Sequence, residues 1–149
     1  MFTDIRKQLS VLLTITALLA GKTAGADLAI IAHPDYQGGD LDTEMVKQLF
    51  LYETTSYPSG HKATPANHAA GSPDREHFFE YVLDMGESRH KRYWSRKISS
   101  GKKPPVQLGS HEEVLKWVAE TPLGISYIDA NKVDDSVKIL LTIAVFENL

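Results

Sequence analysis

The sequence predicts an α/β domain in which a mostly parallel sheet is flanked by helices. Three observations carry that expectation. Leu28-Ala29-Ile30-Ile31-Ala32 is a continuous apolar run ended by His33-Pro34, the pattern of a strand buried on both faces. Strand-like and helix-like segments then alternate along the chain rather than clustering by type. Residues 27–149 number 123, enough for one modest core and too few for two.

The elements follow in order. After the loop Asp35–Asp40, Asp42 caps a helix whose Met45, Val46, Leu49 and Phe50 share one face. Tyr57-Pro58-Ser59-Gly60 is a turn, and Lys62–Asn67 reads as a strand despite Pro65. Ser72 caps a helix running from Pro73 to about Leu83, which buries Phe78, Phe79, Val82 and Leu83 and is broken by Met85-Gly86. A second helix, Ser88 to about Ile98, carries Tyr93, Trp94 and Ile98, and Ser99–Pro105 is a polar linker. Ser110-His111-Glu112-Glu113 fits a capping box, so a helix with Val114, Leu115, Trp117 and Val118 follows. Gly124–Ile128 is a strand. Val137–Ile143 is another, with Val137, Ile139, Leu141 and Ile143 on one face.

The N-terminus has the pattern of a secretory signal peptide over residues 1–26. Arg6 and Lys7 precede an uncharged apolar run, Leu9–Ala20, and Ala24-Gly25-Ala26 has the small residues of a cleavage site. The whole chain has a formal charge of −3. Residues 1–26 hold Arg6, Lys7, Lys22 and Asp4, so residues 27–149 keep 13 basic and 18 acidic side chains, net −5. That balance speaks against a nucleic-acid partner. With no cysteine, the chain has no disulfide, no thiol catalysis and no cysteine-ligated metal. The six histidines are scattered and form no H-x-H or H-E-x-x-H pattern, so neither a metal site nor a cofactor is expected. Ser72 lies outside a nucleophile-elbow context, so an enzyme is not expected either.

The stretch Ala66–Leu83 holds the candidate site. A polar turn with Gly71 leads straight into a helix capped by Ser72 and opened by Pro73. A helix start presents free N–H groups and a partial positive charge, which suits an anion. The same residues also serve plain helix capping. A serine cap contributes about 1 kcal/mol, and an acid such as Asp74 in the first turn adds roughly 0.3–1 kcal/mol. Both readings stand on the residues alone.

Five segments, in order, resemble the phosphate ABC-transporter substrate-binding proteins. Leu41-Asp42-Thr43-Glu44-Met45-Val46-Lys47-Gln48-Leu49-Phe50 resembles that family's opening helix motif, and Tyr57-Pro58-Ser59-Gly60 stands where it often has Trp-Pro-Asp-Gly. Gly71-Ser72 stands at its Gly-Ser-Gly-Thr element, Tyr93-Trp94 resembles a helical Tyr-Trp, and Thr121–Ile128 resembles Thr-Pro-Gly-Ala-Ile-Gly-Tyr-Val. The resemblance covers nearly all of residues 27–143 and implies one lobe of a type-2 periplasmic binding protein. It implies a periplasmic, non-enzymatic protein that binds phosphate or a similar oxyanion at Gly71, Ser72, Asp74, Arg75 and His68. It also implies an ABC permease or another periplasmic protein as partner.

The chain departs from that pattern where the ligand would sit. His68 replaces an arginine, Pro73 removes one N–H donor, and Asp74 puts a carboxylate where the family has threonine. A single lobe also leaves its site facing water, so tight binding calls for a second lobe, either another copy of the chain or another protein. Alternatively, Arg75 or a neutral or protonated His68 stands in for the arginine. The alternative is a degenerate single-lobe interaction or accessory module with no small-molecule ligand. Its surface would be the basic helix Arg89–Lys97. Arg89, Lys91, Arg92, Arg96, Lys97, Lys102 and Lys103 follow one another with no acid between them, suiting either solvent or an acidic partner or membrane surface.

Overall fold

The computed structural model describes residues 27–146; the expected signal peptide, residues 1–26, lies outside them. Five strands form one sheet: β1 (Leu28–Ala32), β2 (Thr64–His68), β3 (Val106–Leu108), β4 (Gly124–Asp129) and β5 (Lys138–Ile143). Four α-helices accompany them: α1 (Thr43–Phe50), α2 (Pro73–Phe78), α3 (Glu87–Ser99) and α4 (His111–Glu120). The strand order is β3-β2-β4-β1-β5.

The α/β class and the flanking helices agree with the sequence reading, but the sheet is mixed. β2 pairs in parallel with β3 and β4, while β1 pairs antiparallel with β4 and β5. Four strands therefore point one way and β1 alone runs against them. Because β1 sits inside the sheet, half of the pairings are antiparallel. All five β1 residues are buried, as its unbroken apolar run requires.

Two hydrophobic clusters cover the two faces. Ile30, Phe50, Phe78, Leu83 and Tyr127 belong to the face under α1 and α2. Ala29, Ile31, Leu108, Val114 and Val118 belong to the face under α4. Alternate residues of β1 serve opposite clusters, as a pleated strand requires. Phe78 stacks on Tyr127 with ring centroids 3.9 Å apart and lies 4.7 Å from Phe50.

The caps expected from sequence are in place. Asp42 accepts from the Met45 N–H at 2.8 Å, Ser72 from Arg75 N–H at 3.3 Å and Ser110 from Glu113 N–H at 3.1 Å. Past α2 the chain continues as a π-helical turn, Phe79–Leu83, which places Phe79, Val82 and Leu83 in the core. Asp84, in the left-handed region at φ 51°, then ends it and reverses the chain into α3.

Two expectations are corrected. β3 lies just beyond the expected linker and was not foreseen as a strand. The single-faced alternation of Val137–Ile143 is also broken. Ile30 pairs with Leu141 and Ile31 with Ile139, so Leu140 is an extra residue in a bulge. Leu140 and Leu141 both pack on the α1–α2 cluster, Val137 joins the α4 cluster, and Ile139 is exposed.

Phe78 is fully buried between two rings. Replacing it with alanine is expected to destabilise the fold by about 3–5 kcal/mol, read as a lowered urea midpoint.

Candidate functional site

β2, β3 and β4 run in parallel, so His68, Leu108 and Asp129 end on one edge of the sheet. The chain leaving β2 enters α2 on one face, and the chain leaving β3 enters α4 on the other. Neighbouring strands whose following helices take opposite faces open a crevice at their carboxyl ends, the usual ligand position in α/β sheets. Gly71, at φ 90°, makes the tight turn into α2 there, in a conformation that side-chain-bearing residues rarely adopt.

The structure brings Gly71, Ser72, Asp74, Arg75 and His68 together at this corner. What it gives the polar side chains is a set of partners within the chain. His68 is buried, stacked on Tyr127 with centroids 4.4 Å apart. Its Nε2 donates to the Tyr127 carbonyl, which leaves Nδ1 bare to accept from the Ser72 hydroxyl at 3.2 Å. That hydroxyl oxygen in turn accepts from Arg75 N–H. Burial holds the His68 pKa below its ordinary value of 6.5, so the ring is neutral at neutral pH. Of the neutral and protonated forms in which His68 could replace the family's arginine, the buried ring takes the neutral one.

Arg75 is also buried. Its Nε and Nη2 grip the two Glu87 carboxylate oxygens at 2.6 and 2.9 Å, and its Nη1 donates to the His68 carbonyl at 2.6 Å. Its guanidinium lies 4.4 Å from the centre of the Phe79 ring. The hydrogen bond from Arg75 holds Glu87 below the usual carboxylate range. A planar fork bound to one carboxylate and one carbonyl has little left for a further anion.

Asp74 is buried at the first turn of α2. Its Oδ2 accepts from the Asp129 N–H at 3.0 Å and lies 2.9 Å from His111 Nε2. It thus joins the start of α2, the end of β4 and the start of α4. The N-terminus of α4 is occupied as well, because Glu113 accepts from the Gly109 N–H at 2.8 Å. Sequence reasoning missed Glu87, His111, Tyr127 and Asp129. The Ser110 capping box located the start of α4 and the Gly124–Ile128 segment contained Tyr127, but neither showed that His111 meets Asp74 or that Tyr127 stacks on His68.

Among the described residues no cluster of His, Asp and Glu is arranged to hold a metal ion, and no helix is long and apolar enough to cross a membrane. No protein-family model matches the chain. Its fold is similar to three solved structures. One, from Clostridium perfringens, is assigned as a phosphate ABC transporter substrate-binding protein and has phosphate bound (TM-score 0.63, 19% identity, 76% of this chain and 44% of that one). The second is an ABC-type phosphate transport receptor from Vibrio cholerae (TM-score 0.61, 16% identity, 76% and 45%). The third is PstS from Borrelia burgdorferi (TM-score 0.60, 17% identity, 76% and 46%). The present chain spans less than half the length of each. At these identities the likeness is one of fold.

Two buried histidines, His68 and His90, set a pH dependence of stability. Burial lowers His68 and brings His90, packed 4.3 Å from Phe79, down to about 4. The unfolded chain takes up these protons first, near pH 6.5. Stability is therefore full above about pH 6.5 and falls as the pH drops towards 4. Melting temperatures across that range should show the decline, and His90→Gln should flatten it relative to wild type.

Proposed function

We propose that this chain is an exported, non-enzymatic binding lobe of the phosphate-substrate-binding type, acting in the periplasm beside an ABC permease or another periplasmic protein. Its ligand edge is the crevice over the carboxyl ends of β2, β3 and β4. Phosphate or a similar oxyanion is held there by the Gly71-Ser72 turn, together with a second body that supplies the opposite face. The observation that carries this reading is the meeting of two helix starts, α2 and α4, around one buried carboxylate, Asp74, at the switch point of the sheet. The likeness to three phosphate-transport proteins supports the ligand class.

The same geometry sets the limit on affinity. Asp74 already accepts from the donors that an oxyanion would use, and Arg75 and His68 act as scaffold. Phosphate alone should therefore bind the isolated chain no better than roughly millimolar, about 4 kcal/mol. A second reading is favoured by that internal saturation. In it the lobe keeps the fold but has lost the ligand, and serves as an accessory module that engages another protein.

Calorimetric titration with phosphate, with sulfate as control, separates the two. Under the first reading Asp74→Asn removes the competing charge and tightens phosphate binding by about tenfold or more, about 1.4 kcal/mol. Absence of heat in both wild type and variant up to several millimolar phosphate sinks the oxyanion reading and leaves the accessory module.

A further inference from the structure

A cavity of about 470 Å³ lies between α3 and β3 and is lined by Lys91, Trp94, Ile98, Pro104 and Gln107, among others. Four observations meet there. β3 is an edge strand that, among the described residues, pairs only with β2. The Leu108 carbonyl accepts from the Ala69 N–H on the β2 side, so alternation turns the Gln107 N–H and C=O to the open side. Such groups are a template for an added strand.

The second observation is the indole of Trp94. Its Nε1 is buried and has no hydrogen-bond partner among the described residues. Buried donors are nearly always paired, so this one calls for an acceptor from elsewhere. The third is exposed apolar surface on both sides of the edge. Ile98 is 53% exposed on the α3 side, and Val106, whose side chain shares the face of Leu108, is equally exposed. The fourth is charge. Lys91, which lines the cavity from α3, takes part in no ion pair among the described residues.

We propose that this groove docks an acidic, extended segment of a partner protein, which lies along the free edge of β3 with alternate side chains over the Trp94–Ile98 cavity and over Val106. Strand addition accounts for the free edge, and the period of two accounts for apolar surface on both of its faces. The unpaired Lys91 in the groove wall selects an acidic strand. Only Gln107 faces outward, so the backbone anchor is short and affinity rests on the cavity and the charges. An anionic membrane would instead use the outer stripe of α3, Arg89, Arg92 and Arg96, which does not need a strand edge. The inference does not rest on the oxyanion reading, since it uses neither Ser72 nor Asp74.

The test titrates the chain, carrying Trp117→Phe so that Trp94 alone reports, with a blocked peptide of alternating Glu and Val. A Lys-Val peptide is the control. The expected result is saturable quenching or enhancement of Trp94 fluorescence by the Glu-Val peptide only, with slowed amide exchange at Gln107. Lys91→Glu should weaken binding by about tenfold. Gln107→Pro, which removes an N–H used by no ladder bond, should abolish it with the far-ultraviolet dichroism unchanged. If that variant does not fold, the Lys91→Glu comparison decides. No saturable binding up to millimolar peptide, or equal binding of the Lys-Val control, overturns the proposal. So does protection confined to α4 or to the outer face of α3. Binding to phosphatidylglycerol vesicles in place of the peptide, lost in Arg92→Glu, overturns it in favour of a membrane surface.

Discussion

The buried guanidinium of Arg75 holds one corner of the molecule together. It takes the carbonyl at the end of β2, the carboxylate at the start of α3 and the ring of Phe79 in the π-helical turn. A charge removed from water needs nearly all of its donors met, and the planar fork of arginine meets a carboxylate and a carbonyl at once. Lysine has the charge but not the fork. Through this one side chain the end of β2, α2 and α3 share a fixed geometry. His68 is locked beside it by Tyr127, which is itself stacked between His68 and Phe78. The crevice is therefore a rigid edge built on the core.

That rigidity explains why charged residues that look like ligand contacts in the sequence have partners inside the chain. A cation near a helix start can meet an incoming anion or an internal one. In this chain Glu87 reaches Arg75 first, because the left-handed turn at Asp84 swings the start of α3 back against α2. His68 is deprived of charge by burial and of free nitrogens by Tyr127 and Ser72.

Much of the fold was legible because the signals were local. The run Leu28–Ala32 announced an inner strand, and Asp42, Ser72 and Ser110 announced helix starts by their own side-chain chemistry. β3 was hidden because three residues, Val-Gln-Leu, cannot display a period, and its pairing with β2 spans some forty intervening residues. The bulge at Leu140 was hidden because the alternation around it looks regular until β1 fixes the register. The reversed direction of β1 is a topological fact with no local signature. At the site, the glycine turn and the serine cap could be read directly. The partners of Asp74 could not, since His111 and Asp129 lie 37 and 55 residues away and meet it only through the fold.

A crevice at the edge of a sheet faces a problem that a buried core does not. It gathers N–H groups and helix starts whose partial positive charge is unfavourable unless an anion or water answers it. Asp74 answers it from within. Its carboxylate takes the Asp129 N–H, approaches His111 and complements the α2 dipole. Hydrogen bonds to a charged group are worth about 1.5–3 kcal/mol, and the dipole adds roughly 0.3–1 kcal/mol. A tethered carboxylate with that advantage is comparable to the whole binding energy of a millimolar external anion, about 4 kcal/mol. Under the proposed oxyanion reading, free phosphate and Asp74 are thus closely matched competitors for one set of donors. A partner that closes the crevice strengthens every electrostatic interaction inside it by excluding water. Under that reading such a partner decides which anion wins, and the state of the crevice depends on what closes over it as much as on the crevice itself.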